Sequence, residues 1–145
     1  MNRIKLAMPE HYSFSTDLQI RITDLNYGGH VGNDSFLALI QEARQQFLLQ
    51  YGYKELDFEG FGLIMADSAI EYRSELNYGD IVRISVQAEG FDKLGFDIFY
   101  LLEIINKEAI IVAGKAKTGM ICFDYTLKKK TSIPAIAIAK LTQPQ

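Results

Sequence analysis

Residues 34–52, "DSFLALIQEARQQFLLQYG", carry a strong helical pattern in this chain of 145 residues. Apolar side chains recur there every three or four positions, and Gly52 follows them as a stop signal. The stripe consists of Phe36, Ile40, Ala43, Phe47 and Tyr51, widened by Leu37, Leu39 and Leu48. This spacing predicts a single amphipathic helix of about five turns, at 3.6 residues each, with one face buried.

Alternation of apolar and polar residues predicts five β-strands around this helix. The first strand covers 14–23, and the other four follow the helix at 63–76, 81–89, 96–105 and 109–125. The side chains predicted to share a face are Leu18, Ile20 and Ile22 in the first strand, Ile64, Ala66, Ser68, Ile70 and Tyr72 in the second, Val82, Ile84, Val86 and Ala88 in the third, and Ile110, Val112, Gly114, Ala116, Thr118 and Met120 in the last.

These elements predict an α+β fold in which one long helix is wrapped by an antiparallel sheet of about five strands. The chain is long enough for one core, so we expect residues 1–145 to form a single domain. A short second helix is expected near the C-terminus, capped by Ser132 and with Pro134 in its first turn. Because an open sheet keeps two edges and a partly uncovered face, we expect edge pairing into a homodimer.

The composition excludes several classes of function. The formal net charge of −3 and the pI near 5.4 leave no basic footprint, so nucleic acid is not an expected partner. No run of about 18 apolar residues is present, so no membrane-spanning helix is expected. The one cysteine, Cys122, fits a reducing compartment, and we expect a cytoplasmic protein. The two histidines and this cysteine lack the spacing of metal ligands, so no metal is expected.

A polar segment, "DLNYGGHVGND" at residues 24–34, links the first strand to the helix. Asp24 is expected to end the strand by accepting backbone N–H bonds, and Gly28 and Gly29 are expected to turn the chain. The segment then opens a helix, whose first N–H groups are free and whose dipole is positive at this end. It is therefore either a solvated turn or a site for a ligand that carries negative charge.

Four segments together resemble the hot-dog fold, specifically the acyl-CoA thioesterases related to 4-hydroxybenzoyl-CoA thioesterase. They are "DLNYGGHVGND" at 24–34, "IQEAR" at 40–44, "IEYRSELNYGD" at 70–80 and "SIP" at 132–134. The resemblance implies hydrolysis of an acyl thioester to a free acid and a thiol. Coenzyme A would then be part of the substrate, and no separate cofactor is implied. It also implies homodimers or dimers of dimers (homotetramers) with active sites at the subunit interface.

The resemblance also assigns site residues. The backbone N–H of Asn33 matches the family's oxyanion donor, and Gly32 permits close approach of the substrate. Asn26 stands where the 4-hydroxybenzoyl branch keeps a catalytic aspartate, and an amide cannot take up a proton near neutral pH. His30 and Glu75 match a histidine and a glutamate of the plant acyl carrier protein thioesterases. We therefore expect His30 or Glu75 to activate a water molecule that Asn26 positions.

Further residues are candidates for binding the parts of the substrate that do not react, which are the phosphates and the acyl chain. The only basic run in the chain consists of Lys128, Lys129 and Lys130. A solvated turn would explain this run, but coenzyme A carries several phosphates, and an acidic protein needs local positive charge to bind them. The run is therefore a candidate phosphate site. The acyl pocket is expected between helix and sheet, with its depth set by Met65, Phe61 or Tyr72.

Two other functions compete with hydrolysis. Asn26 in place of an acid favours a non-catalytic protein that binds acyl thioesters or lipids. A dehydratase acting on acyl thioesters would use His30 together with a carboxylate on the helix, and Glu42, the candidate, stands far along the helix for that role. The structural interpretation of Glu42 is a side chain off the apolar stripe that bridges toward Arg44. Asp67 and Ser68 are expected on a solvated strand face.

Overall fold

The computed structural model describes residues 1–143. Five long strands and one two-residue strand form a single antiparallel sheet, accompanied by two helices. The elements in chain order are β1 (Phe14–Gln19), a 3₁₀ turn (Ile22–Asp24), α1 (Asn33–Gln50), β2 (Gly62–Tyr72), β3 (Ile81–Glu89), β4 (Gly95–Ile104), β5 (Ile111–Asp124), β6 (Lys129–Lys130) and α2 (Ala135–Thr142). The strand order is β1-β3-β4-β5-β2, with β6 paired to β5. The predicted α+β class and the sheet of about five strands are thus confirmed.

Helix α1 buries most of the predicted stripe against the inner face of the sheet, whereas Leu37, which was expected to widen the stripe, is 40% exposed. Phe36, Ile40, Ala43 and Phe47 are at most 3% exposed. The facing residues alternate along β3 and β4, and the buried ones are Val82, Ile84, Val86, Ala88, Phe96, Ile98, Tyr100, Leu102 and Ile104. Each valine, leucine, isoleucine or phenylalanine side chain among them contributes roughly 1.5–3 kcal/mol when it leaves water. The core therefore lies between this helix and the centre of the sheet.

The first strand is shorter than its sequence pattern predicts. β1 ends at Gln19, and Ile22, which was expected on the buried face, is 69% exposed in the 3₁₀ turn. The side chain of Asp24 causes the turn, because its Oδ2 accepts the backbone N–H of Arg21 at 2.7 Å. Asp24 thus ends the extended segment by accepting an N–H bond, as expected, but β1 stops at Gln19, four residues before the predicted end at residue 23.

Bulges in β2 and β5 change which side chains of these strands share a face, compared with a simple alternation. In β2 the register shifts between Met65 and Asp67, so Ile64 and Ala66 do not share a face with Ile70 and the rest of the predicted set. In β5 the register shifts opposite Leu102 and Glu103, where Ala113 is the extra, fully buried residue. The predicted face of the last strand is therefore correct for Gly114, Ala116, Thr118 and Met120. Val112 lies beyond the bulge on the other face, and Ile110 precedes the strand and is exposed.

The C-terminal helix forms as predicted, but with a different cap. Pro134, and not Ser132, is the N-cap residue of α2, and no side chain caps the helix. Proline is suited to this place because the helix needs no N–H donor there. Ala137 and Leu141 then point into the core and are fully buried.

One buried charge ties α1 to the sheet, and the apolar pattern gave no sign of it. Arg44 is 4% exposed, and its Nε donates to Glu55 Oε1 at 2.5 Å. Its Nη1 donates to the hydroxyl of Tyr100 on β4 at 3.3 Å. That hydroxyl also shares a hydrogen bond of 2.8 Å with Thr118 on β5. Burial raises the pKa of Tyr100, so the phenol stays neutral and takes part in this network as a hydrogen-bonding group.

We expect Arg44→Ala to lower the free energy of unfolding by about 3 kcal/mol, because it leaves the hydroxyl of Tyr100 and the carboxylate of Glu55 without their donor. Urea denaturation followed by circular dichroism measures this change. Arg83→Ala is the matched control, since Arg83 forms an exposed two-bond pair with Asp17 and its loss should change stability far less. Equal effects of the two substitutions would contradict a structural role for the buried network.

A second tight contact joins the first turn of α1 to the end of β2. The ring of Phe36 packs edge-on against Tyr72 with centroids 5.2 Å apart. Gly114 on β5 makes room for this arrangement, because a Cβ at that position would lie 2.6 Å from Cζ of Phe36. The absent side chain of Gly114 thus lets the Phe36 ring rest directly on the sheet.

We expect Gly114→Ala to cost roughly 1–3 kcal/mol of stability by overpacking against Phe36. The double variant Phe36→Leu/Gly114→Ala should lose less than the sum of the two single losses, by about 0.5 kcal/mol or more, because the smaller side chain relieves the clash. Thermal and urea unfolding of the four proteins in this cycle measure the coupling. Strict additivity would mean that the Phe36 ring does not limit space at Gly114.

Candidate active site

The segment between the 3₁₀ turn and α1 folds around the side chain of Asn26. Its Oδ1 accepts the backbone N–H of Gly28 at 2.8 Å, which is an Asx turn. Its own N–H donates to the carbonyl of His30 at 2.9 Å, and the N–H of Gly29 donates to the carbonyl of Asn26 at 3.0 Å. Gly29 has φ +81°, a conformation that favours glycine. Asn26 therefore has the structural role of shaping this loop, whatever else it does.

The start of α1 leaves space and donors for a ligand. Gly32 is the N-cap residue, and a Cβ there would lie 3.0 Å from Asn26 Nδ2 and 2.9 Å from Asp34 Oδ1. The first helical bond runs from the N–H of Phe36 to the carbonyl of Gly32. The N–H of Asn33 thus precedes the helical ladder and has no acceptor within residues 1–143. The structure brings this donor, Gly32 and the Nδ2 group of Asn26 together.

Glu75 reaches the same place from the end of β2. The N–H groups of Arg73 and Ser74 donate to the carbonyl of Ala113, the bulge residue, at 2.9 and 3.1 Å. This contact turns the chain after β2, so Glu75 lies in a loop instead of on the predicted strand. The N–H of Val31 donates to the carbonyl of Leu76 at 2.9 Å and joins the two loops.

His30 and Glu75 face each other across this junction. His30 Nε2 lies 3.8 Å from Glu75 Oε1, and the two side chains are 36% and 69% exposed. His30 Nδ1 lies 3.4 Å from the carbonyl oxygen of Val31, at the long limit of a hydrogen bond. The separation of the two side chains allows an ion pair when the imidazole is protonated, and both groups remain open to water.

The four predicted catalytic residues and Gly32 all line one cavity of about 350 Å³. Its complete lining is Asn26, His30, Val31, Gly32, Asn33, Phe36, Tyr72, Arg73, Ser74, Glu75 and Leu76. Tyr72 forms part of the wall, as one of the three predictions for pocket depth had it, whereas Met65 and Phe61 do not. Phe36, Arg73 and Ser74 were not predicted. The helical stripe marked Phe36 as core, and only the turn after β2 brings Arg73 and Ser74 to the cavity.

The lysine run does not reach this cavity within one chain. Lys129 and Lys130 form β6 and pair with Asp124 and Phe123 at the end of β5. The cavity lies at the other end of β5, where Gly114 pairs with Tyr72. Nine residues of strand separate these ends (123 − 114 = 9), which at 3.3 Å per residue is roughly 30 Å.

Other carboxylates that the sequence raised have structural partners. Glu42 accepts a hydrogen bond from Gln46 Nε2 at 2.8 Å and lines a separate cleft of about 510 Å³ beside β1. Asp67 accepts bonds from Lys117 Nζ at 2.8 Å and from the N–H of Gly119 at 3.0 Å. The bond from Lys117 is the main reason why the pKa of Asp67 lies below its ordinary value.

Within residues 1–143, no cluster of three histidine, cysteine, aspartate or glutamate side chains has the geometry to hold a metal ion. No helix in that same range is both long and apolar enough to cross a membrane.

Solved structures with this fold include several thioesterases. A 1,4-dihydroxy-2-naphthoyl-CoA thioesterase from Synechocystis superposes with a TM-score of 0.78 at 20% identity, covering 90% of this chain and 98% of that one. An aspartate-to-asparagine mutant of 4-hydroxybenzoyl-CoA thioesterase, in complex with 4-hydroxybenzoyl-CoA, gives 0.81 at 13% identity, with 91% and 100% covered. The probable thioesterase YbaW from Escherichia coli gives 0.75 at 18% identity, with 92% and 100% covered. These likenesses confirm the hot-dog fold.

Sequence comparison with curated proteins finds no significant match to this chain. Comparison with protein families does find one, and it extends from residue 20 to residue 141, across both loops of the cavity and the whole of the sheet beyond β1. The chain therefore belongs to the thioesterase-like superfamily.

Proposed function

We propose that this protein hydrolyses an acyl-CoA thioester to a free acid and coenzyme A. The observation that carries the proposal is the convergence of His30, Glu75 and Asn26 with the free N–H of Asn33 around one cavity. Membership of the thioesterase-like superfamily agrees with it. The buried single cysteine, Cys122, is in keeping with the cytoplasmic location that we expect.

The reaction needs a water molecule activated on one side of the acyl carbon and a stabilised oxyanion on the other. In the proposed arrangement the water oxygen attacks the carbonyl carbon, and His30 or Glu75 accepts its proton. The negative charge that develops on the carbonyl oxygen is received by the N–H of Asn33 at the positive end of α1. The carbon–sulfur bond then breaks, and coenzyme A leaves as a thiolate, which needs little acid assistance because thiols ionise near pH ~8.5.

Asn26 takes a positioning role in this scheme. Its Oδ1 is engaged by the N–H of Gly28, which leaves the Nδ2 group to face Gly32 and the helix start. An NH₂ group there donates hydrogen bonds and cannot remove a proton, so it orients the thioester or the water without acting as base.

We further propose that two copies pair through the free edge of β2, because Met65, Ala66, Asp67 and Ser68 on this edge strand are all exposed. A two-fold axis near these residues would set Tyr72 of one copy beside the start of β2 in the other. The lysine run of the second copy would then lie on the cavity side, and the predicted role of Lys128, Lys129 and Lys130 in phosphate binding depends on this pairing.

We expect the purified protein to sediment as a dimer and the β2-edge variant Ser68→Pro to shift it toward monomer. Proline removes an N–H donor from the strand and therefore weakens pairing along an edge. Sedimentation velocity measures both species, and circular dichroism checks that the variant stays folded. A wild-type monomer at micromolar concentration would contradict the pairing.

We expect the protein to release free thiol from at least one member of a panel of acyl-CoAs with aromatic, short and long acyl groups. A thiol reagent that absorbs visible light measures the release. Binding of acyl-CoA without turnover would instead support the non-catalytic alternative. A dehydratase is less consistent with the structure, because Glu42 lines a different cleft from His30.

Three variants then test the assignment of roles. His30→Ala and Glu75→Gln should each lower kcat, and the residue that serves as base should lower it by about 10²-fold or more. Asn26→Asp keeps the Asx turn and adds a carboxylate, so it should preserve folding and change the pH dependence of kcat. Near-wild-type turnover in both His30→Ala and Glu75→Gln would refute the proposed activation of water.

A further inference from the structure

A groove of about 710 Å³ lies directly beside the cavity. Its walls are residues 2–5 of the N-terminal arm and residues 70–73 at the end of β2. Tyr72 and Arg73 line both the groove and the cavity, so the two spaces share a wall. A substrate with its reactive end at Asn33 and an extended tail would pass Tyr72 and Arg73 into this groove.

Glu71 holds both walls of the groove in place. Its Oε1 accepts the backbone N–H of Leu6 at 3.1 Å, and its Oε2 accepts Arg73 Nη1 at 2.8 Å. The bond from Arg73, followed by the N–H of Leu6, lowers the pKa of Glu71, so the carboxylate stays ionised near neutral pH. The arm therefore has a fixed attachment beside the cavity, although it does not join the sheet.

The groove concentrates positive charge on an acidic protein. Arg3 and Lys5 are exposed, and neither forms an ion pair within residues 1–143. Arg73 is 52% exposed and pairs only through its Nη1 with Glu71. The nearby negative groups are Glu71, which is engaged by Arg73 and Leu6, and Glu75 on the cavity side. This local positive charge contrasts with the net charge of −3 of the whole chain.

We propose that this groove binds the phosphates of coenzyme A, with Arg3 and Lys5 as the ligands supplied by the arm. The inference rests on the proposed function, since it takes the acyl end of the same molecule to lie in the cavity. Two flexible cations beside an arginine suit phosphates, which accept hydrogen bonds from any direction around their oxygens. The arm belongs to the chain that supplies Asn33 and His30, so its two cations and the proposed reacting groups come from one chain.

The test compares two substrates that share one acyl group: the acyl-CoA and the acyl-pantetheine, which lacks the phosphates. For the double variant Arg3→Ala/Lys5→Ala we expect a KM for acyl-CoA raised about fivefold to tenfold, as the loss of two exposed charge contacts implies. The kcat for acyl-CoA and both constants for acyl-pantetheine should stay at wild-type values. Added salt should raise the wild-type KM for acyl-CoA and have little effect on the double variant.

A comparison variant decides whether the phosphates bind in the groove or at the run of Lys128, Lys129 and Lys130. If Lys128→Ala/Lys129→Ala/Lys130→Ala raises the KM for acyl-CoA and Arg3→Ala/Lys5→Ala does not, the phosphates bind at the lysine run and the proposal is wrong. An equal rise of KM for both substrates in the arm variant also overturns it, because that result indicates damage to the cavity.

Titration calorimetry with coenzyme A itself keeps the proposal separate from the proposed function. If the wild-type protein hydrolyses neither substrate, hydrolysis is refuted, but the groove is still tested by binding. Binding of coenzyme A that weakens fivefold or more in the arm variant supports the groove. Equal affinity in both proteins, or no binding by either, rejects it.

Discussion

The packing of α1 on the inner face of the antiparallel sheet is the constraint on which the rest of the structure depends. The helix has one apolar face, and Ala43, Phe47 and Leu48 become fully buried when that face meets the sheet. Apolar contact alone would tolerate sliding of the helix, because it is not directional. The buried guanidinium of Arg44 adds direction, since it must reach both Glu55 and Tyr100 to be satisfied. The position of the helix start follows from this register.

That position becomes a site because two loops meet there. The loop before α1 ends at Gly32, and the loop after β2 is turned by the carbonyl of Ala113. The bond between the N–H of Val31 and the carbonyl of Leu76 joins them. The β5 bulge is therefore more than an irregularity of the sheet. It supplies the acceptor that turns the chain after β2 and carries Glu75 to within 3.8 Å of His30.

The strand β2 connects three features that an acyl-CoA hydrolase would need. One end of β2 borders the cavity, and its exposed middle offers an edge for a second copy. The side chain of Glu71, near the same end, holds the N-terminal arm through the N–H of Leu6. An acidic protein that handles an anionic substrate must place positive charge locally, and the arm does so without changing the core.

The sequence by itself determined the class of fold and pointed to residues that the structure brings to one cavity. The 3.6-residue stripe of α1 and the alternation of β3 and β4 reflect burial of one face, a local consequence of helix and strand geometry. The family resemblance of the segments at 24–34 and 70–80 pointed to Asn26, His30, Asn33 and Glu75, and all four line one cavity. Only the tertiary structure decided the bulges at Ala66 and Ala113, the burial of Arg44, and the bond between the arm's Leu6 and Glu71. Each of these depends on groups distant in the chain, whose hydrogen bonds and charges are satisfied only once the helix and sheet have packed.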